Sequence, residues 1–328
     1  MRVTQRDIAN MAGVSQATVS RVIAGDDRVE DAIASRVSRA IREHNYRPDV
    51  RARALRSRRT GLIGLVVLRP VGGLGDDPYW ASLISAIVDH LAGTPYHLCV
   101  DMATTPEDHS ALYDEMLRTR RVDGLLLVES EARDRRIARL LQDQFPFVLL
   151  GNPSGIEGAE GVPSVDNDNV EAARMATRHL FDNGFQRVGF LGARKGVTVG
   201  EDRIEGFLSA GGHRSLVRHA DFGAEAASLV AAEWLTEPDR PDALVVLDDF
   251  MALGVVIAAR RLGIQVPEDL GLVGFNDTSV CRLLEGGLTS VNLGLQEMIA
   301  QACNRLLGDL DGVDEHGPLR QIIPARLA

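Results

Sequence analysis

Thr4-Gln5-Arg6-Asp7-Ile8-Ala9-Asn10-Met11-Ala12-Gly13-Val14-Ser15-Gln16-Ala17-Thr18-Val19-Ser20-Arg21-Val22-Ile23 carries the pattern that decides how this chain is organised. Thr4, followed three residues on by Asp7, has the form of a helix N-cap with an acidic partner, and Ile8, Ala9, Met11 and Ala12 continue as a helix until Gly13 breaks it. A second helix is expected from Ser15, because Val14, Val19, Val22 and Ile23 recur near helical spacing and can pack on the first. Ala9 is small enough for a close helix crossing, and Gly13 permits the left-handed backbone of a tight turn. The pattern reads as a helix-turn-helix. Its second helix carries Gln16, Ala17, Ser20 and Arg21 on one face without large apolar side chains, and Gln and Arg are residue types that pair bidentately with base edges in a major groove.

Working outward, Asp31–His44 is expected to be a third helix, with Ile33, Val37, Ala40 and Ile41 on the stripe that closes a three-helix core. After Pro48, the stretch Asp49–Arg59 holds five arginines around Ala52, Ala54 and Leu55. Taken alone it could be a solvated linker; after three small helices it reads as a DNA-contacting hinge. Charge supports this division. Residues 1–59 contain 13 arginines against 7 acidic residues, a balance of +6, and the remaining 23 basic and 39 acidic residues leave −16 for residues 60–328. A formal net charge of −10 thus conceals a basic head on an acidic body, an asymmetry that suggests a nucleic-acid-binding module.

The length of 328 residues and a hydrophobic share of 45% allow two or three domains with substantial cores. The longest apolar runs, such as Leu62–Leu68 and Ala243–Leu247, fall far short of the roughly 20 residues a membrane span requires, and with the polar stretch from Arg2 onward no secretory signal is expected. Cys99, Cys281 and Cys303 are odd in number and lack metal-type spacing, so a reducing compartment, the cytoplasm, is expected, with no disulfide framework and no metal site.

Beyond Leu62 short β-rich runs alternate with amphipathic stretches. Strands are expected at Leu62–Leu68, Tyr96–Asp101, Gly124–Val128, Phe147–Leu150, Arg187–Leu191, Ala243–Leu247 and Leu272–Phe275. Helices are expected near Trp80–Leu91, Glu107–Arg118, Asp134–Asp143, Val170–Asn183, Gly200–Ala210, Ala224–Leu235 and Phe250–Leu262. Such alternation implies parallel sheets covered on both faces. The units are too many for one sheet, so two similar lobes follow, with a ligand pocket beyond the strand C-terminal ends in the cleft between them.

The string from Val3-Thr4 through Ile8-Ala9, Ala12-Gly13-Val14-Ser15 and Thr18-Val19-Ser20-Arg21-Val22, then Asn45-Tyr46-Arg47-Pro48, Arg53-Ala54-Leu55-Arg56 and Thr60-Gly61-Leu62-Ile63-Gly64, resembles the lactose/galactose repressor (LacI/GalR) family. The resemblance extends over the body at Arg121-Val122-Asp123-Gly124-Leu125, Arg203-Ile204-Glu205-Gly206-Phe207, Asp248-Asp249-Phe250-Met251-Ala252-Leu253-Gly254, Val266-Pro267-Glu268-Asp269-Leu270 and Val273-Gly274-Phe275-Asn276-Asp277. It implies an N-terminal all-α helix-turn-helix headpiece plus an α/β two-lobed, periplasmic-binding-protein-like effector domain. The implied divisions are 1–45 for the DNA-binding domain, 46–59 for the hinge and 60–328 for the effector-binding and dimerisation domain. Within the last, three crossings would give lobe one about 60–162 and 289–316, and lobe two about 163–288 and 317–328.

Carried over by position, Gln16, Ala17 and Arg21 would read bases, and Ser15, Thr18 and Ser20 would touch phosphates. Leu55 would be a minor-groove wedge, with Thr4 and Ala52 completing the DNA-contacting set. Arg203 matches the family's effector-contacting arginine, whose fork of donors suits vicinal hydroxyls or a carboxylate, and Asp249 matches an acceptor for ligand hydroxyls. Phe222 and the Tyr79-Trp80 pair match aromatic positions of the pocket, and Asn152 and Asp277 are further candidates at strand ends. The chain departs from the family where Asn is frequent, at Ala24 and Asp49, and at Leu293, where many relatives have Gln.

The function so implied is that of a transcriptional regulator, a repressor, which binds a near-palindromic operator as a homodimer or higher assembly. It would be switched by a small polar effector, a sugar or sugar derivative, without any cofactor. The alternative is a ligand-binding protein of sugar-transport type without DNA function, which would need an export signal and no basic head. Enzyme chemistry is not expected: no GxGxxG, Walker lysine, GxSxG or HExxH motif occurs, and the eight histidines form no ligand set.

Overall fold

The computed structural model describes residues 3–23, 26, 28–44, 46, 59–69, 73–131, 134–154, 156, 158, 161–313 and 317–328. The expected hinge, with Ala52 and Leu55, lies outside the described residues, as do Ala24 and Asp49. The chain divides into two compact units, residues 1–60 and 61–328.

In the first unit, α1 (Gln5–Ala12), α2 (Gln16–Ile23) and α3 (Asp31–Glu43) enclose Ile8, Ala9, Ala12, Val19, Val37 and Ala40. The expected N-cap is a complete capping box: the Asp7 N–H donates to the Thr4 hydroxyl oxygen at 3.3 Å, and the Thr4 N–H donates to the Asp7 carboxylate at 2.8 Å. Gly13 ends α1 at φ 61°, the left-handed conformation that glycine adopts without a Cβ clash.

The second unit holds two six-stranded sheets. The strands are β1 (Leu62–Leu68), β2 (His97–Ala103), β3 (Gly124–Leu127), β4 (Phe147–Leu150), β5 (Ser164–Asn167), β6 (Val188–Gly192), β7 (Val217–His219), β8 (Ala243–Val246), β9 (Gly271–Phe275), β10 (Thr289–Asn292), β11 (Arg320–Ile323) and β12 (Arg326–Leu327). Sheet one runs β11-β5-β4-β3-β1-β2 and is parallel throughout. Sheet two runs β12-β10-β9-β8-β6-β7, parallel except for the β10–β12 pair. Helices cover both faces: Ile63, Leu65 and Val67 of β1 face one core of lobe one, and Val66 faces the other. This two-sided burial is why the strands read as unbroken apolar runs.

The three crossings between lobes follow the ends of β5, β10 and β11, four to seven residues later than the sequence suggested. β5 and β11 belong to the sheet of lobe one, and β10 to that of lobe two, reversing the expected placement of all three. Polar residues at buried positions of β5, namely Ser164, Asp166 and Asn167, hide it from a hydropathy reading. One side chain joins the crossings. The Asn167 amide donates to the Leu293 carbonyl at 2.6 Å and to the Ile323 carbonyl at 3.0 Å, so the ends of β5 and β11 and the residue after β10 share one buried knot. Among the described residues, no helix is long and apolar enough to cross a membrane.

Candidate functional site

In the first unit the face expected to meet nucleic acid lies on α2. Gln16, Ala17 and Arg21 are exposed, as is Ser15 just before the helix. The Ser15 hydroxyl oxygen accepts the Thr18 N–H at 3.1 Å and lies 2.8 Å from the Thr18 hydroxyl, fixing the start of the helix. Thr4 is exposed, but its hydroxyl donates to Asp7 at 2.7 Å, so its proton already serves the capping box. Ser20 departs from the expectation: at 8% exposure it turns into the domain and leaves the solvent face to Gln16, Ala17 and Arg21.

In the second unit, the strand ends of both sheets converge on a cavity of about 130 Å³. Four of the seven expected effector residues line it: Tyr79, Trp80, Arg203 and Phe222. Asp77 caps the Pro78–Leu91 helix by accepting the Tyr79 N–H at 3.0 Å, which sets Tyr79 and Trp80 on the first turn. Arg203, buried on the Thr198–Ser209 helix, donates from Nε to Asn169 at 3.0 Å and from Nη1 to the Leu247 carbonyl, and its guanidinium lies 4.2 Å from the centre of the Phe275 ring. Burial lowers its pKa to about 10, yet it stays protonated at neutral pH. Its Nη2 has no hydrogen-bond partner among the described residues. Trp80 is 1% exposed, and its indole N–H has no partner either, an unmet donor in the cavity wall.

The other three candidates lie elsewhere. Asp249 is 0% exposed and ties the head of the Asp249–Arg261 helix to the neighbouring strand ends: the Thr278 N–H and the Ser290 hydroxyl each donate to its carboxylate at 2.7 Å. Its neighbour Asp248 lines the cavity instead. A shift of one position at a helix start exchanges cap and core, so Asp248 accepts the Met251 N–H at 2.6 Å while bordering the cavity. Asn152 bridges the lobes, donating to Asp202 at 2.8 Å, and Asp277 accepts from Asn292 at 2.8 Å in a separate opening. Asn276, one residue earlier, reaches the cavity.

Sequence reasoning also missed Arg69, Glu129 and Asp166 in the cavity wall. The available signal was positional: Arg69 follows β1, Glu129 lies shortly after β3, Asp248 lies shortly after β8 and Asn276 follows β9, the strand C-terminal ends where such sheets bind ligands. Arg69 pairs with Glu129 through both Nη atoms, one contact being 2.7 Å. Burial pushes Asp166 up to about 6 and, with the Asp77 carboxylate nearby, Asp248 up to about 7. Leu150, Leu247, Leu293, Leu295 and Met298 supply an apolar floor, so Leu293 takes part as a hydrophobic surface. No group of three or more potential metal ligands occurs among the described residues.

Comparison with known proteins agrees with both units. Residues 4–49 match the model of the bacterial regulatory proteins of the lacI family, and residues 177–328 match that of the periplasmic binding protein-like domain. HTH-type transcriptional regulator CelR of Thermobifida fusca is 32% identical over 99% of this chain and 97% of its own length. HTH-type transcriptional regulator MalR of Streptococcus pneumoniae is 32% identical over 81% of this chain and 83% of its own. Among solved structures, a complex of the regulator CelR with cellobiose shares 29% identity and a TM-score of 0.74, covering 100% of this chain and 98% of that one. The Lac repressor dimer bound to operator and the anti-inducer ONPF, at 24% identity and a TM-score of 0.83 over the same shares, shares the fold.

Proposed function

The chain belongs to the LacI family of bacterial regulatory proteins, and on that premise we propose that it is a cytoplasmic homodimeric repressor whose operator is released or gripped according to an uncharged sugar or sugar derivative in the cleft. The observation that carries the choice of ligand is the chemistry of the cavity wall. Asp77, Glu129, Asp166 and Asp248 face two cations, Arg69 and Arg203, over an apolar floor. Even with Asp248 protonated, the remaining carboxylates outnumber the two arginines by one, a negative surplus that opposes an anionic ligand. Carboxylates accept from hydroxyls, the free Nη2 of Arg203 and the indole N–H of Trp80 donate to them, and aromatic and aliphatic surfaces cover C–H faces. The relative captured with cellobiose points to the same class of ligand.

On the DNA side, Gln16, Ala17 and Arg21 read base edges, Ser15 and Thr18 contact phosphates, and the arginine-rich stretch 46–59 joins them through Ala52 and Leu55. One such head covers a half-site, so two copies meet a near-palindromic operator. Ligand and operator act on one equilibrium between lobe arrangements, and their coupling is reciprocal: whatever factor the sugar imposes on operator affinity, the operator imposes on sugar affinity.

Fluorescence anisotropy on a labelled operator, selected from random sequence with the full chain, tests this reading. A panel of neutral sugars is expected to contain at least one that changes operator affinity. Arg203→Ala is expected to bind operator and lose that response, because one charge-assisted contact to the ligand, about 1.5–3 kcal/mol, disappears. A response retained in Arg203→Ala overturns the site.

A further inference from the structure

Arg69 and Phe222 line two compartments at once. Besides the inner cavity they border a wider groove of about 1020 Å³, whose other walls include Asp221, Glu225, Phe250 and Arg261. The Arg69 guanidinium carbon lies 4.7 Å from the centre of the Trp80 ring and 4.6 Å from that of Phe222, so it occupies the slot between an aromatic of lobe one and an aromatic of lobe two. In that slot a sugar ring would otherwise stack.

Arg69 is also firmly held. Its backbone N–H donates to the Ala103 carbonyl at 2.9 Å, its Nη1 donates to the Leu68 carbonyl at 2.7 Å, and both Nη atoms meet the Glu129 carboxylate. Glu129 is fixed in turn. Its backbone adopts φ 54°, a left-handed conformation unusual for a side chain of its size, and the Arg136 guanidinium, anchored by Asp134, donates to its carbonyl at 3.0 Å. A conformation that disfavours the residue and is held from two sides is a means of placing one carboxylate opposite one guanidinium. Moving Arg69 aside would break the fork-to-fork pair and both ring contacts, and would leave Glu129 with an unpaired charge in a largely covered site.

The geometry points to Arg69 as the residue that sets ligand length: it walls the inner cavity from the outer groove, so that the cleft takes a single sugar ring and rejects a ligand of two rings. This rests on the reading of the cleft as a neutral-sugar site and makes it narrower. Trp80 and Phe222 clasp Arg69 from the two lobes and keep it in that wall. A second ring would have to pass through the space of the guanidinium.

Thermal unfolding and calorimetric titration of the full chain would use D-glucose, D-galactose, D-mannose, D-xylose and D-ribose beside cellobiose, maltose and lactose. The wild type is expected to bind at least one monosaccharide at least about tenfold more tightly than any disaccharide containing it, a discrimination within reach of steric exclusion. Arg69→Ala joins the two compartments and is expected to shrink that ratio at least about tenfold, chiefly by gaining disaccharide affinity. Because Arg69→Ala leaves Glu129 uncompensated and can destabilise the lobe, Arg69→Ala with Glu129→Gln is measured beside it and is expected to behave alike. A wild type that binds a disaccharide as tightly as its component sugar overturns the inference, and so does a ratio unchanged in both variants. If no sugar of either length binds any of the three proteins, the neutral-sugar reading itself falls and the inference falls with it.

Discussion

Asp248→Asn separates the charge of one buried-edge carboxylate from its role as a helix cap. The Asp248 side chain accepts the Met251 N–H through Oδ1, and an asparagine carbonyl can do the same. What the variant loses is ionisation. Burial, reinforced by the Asp77 carboxylate, moves Asp248 from 3.8 to about 7. At 1.36 kcal/mol per pKa unit, a rise of about three units corresponds to about 4 kcal/mol, and because the carboxylate is only partly covered at the cavity edge, about half of that, roughly 2 kcal/mol, is the expected effect. The folded state binds the proton more tightly than the unfolded chain, so between about pH 4 and pH 7 it holds more protons, and stability falls as pH rises. The penalty is absent below the unfolded pKa and complete above pH 7. Urea unfolding followed by circular dichroism at steps from pH 3 to pH 8 is therefore expected to show variant and wild type nearly equal at the acid end, with the variant more stable by about 2 kcal/mol at the alkaline end. Other carboxylates titrate in both proteins and largely cancel. A stability difference that is flat across this range would refute the reasoning, since it would mean that Asp248 ionises in the fold as it does in water.

Other perturbations test the frame and the DNA face. Asn167→Ala removes both donated hydrogen bonds of the inter-lobe knot, to the Leu293 and Ile323 carbonyls, which at about 1–3 kcal/mol per buried acceptor predicts a loss of about 2–6 kcal/mol in urea unfolding; a loss below about 0.5 kcal/mol would mean that the knot is dispensable. A Cβ on Gly254 would sit 2.1 Å from the Ala224 carbonyl oxygen. Helix Ala224–Trp234 and helix Asp249–Arg261 would have to separate, so Gly254→Ala is expected to cost about 3 kcal/mol, with a wild-type melting temperature contradicting the close approach. Arg21→Ala is expected to lose about 1–3 kcal/mol of discrimination at one operator base pair, read by anisotropy on single-substituted operators, while equal losses on every sequence would make Arg21 a phosphate contact.

The sequence by itself determined the elements whose physics is local. A Thr–Asp capping box, a glycine at a left-handed turn and apolar residues at helical spacing specify the three-helix head within about 40 residues, because each signal is satisfied by near neighbours. The buried strands Leu62–Leu68, Phe147–Leu150 and Ala243–Val246 were equally legible, since parallel strands covered on both faces must be continuously apolar. What only the tertiary structure decided lies where the free energy is long-range. β5 is buried through polar side chains that are paired with distant groups, as Asp166 is with Arg320 and Asn167 with Leu293 and Ile323, and no window of sequence contains both partners. The choice between Asp248 and Asp249 as the carboxylate at the cavity depended on Ser290 and Thr278 arriving to satisfy the latter. Arg69 reads as an ordinary charged residue after a strand; only the folding of Glu129, Trp80 and Phe222 around it, from both lobes, turns it into the wall of a cleft, because a buried guanidinium is tolerable only where a carboxylate and aromatic faces from elsewhere in the chain replace its water.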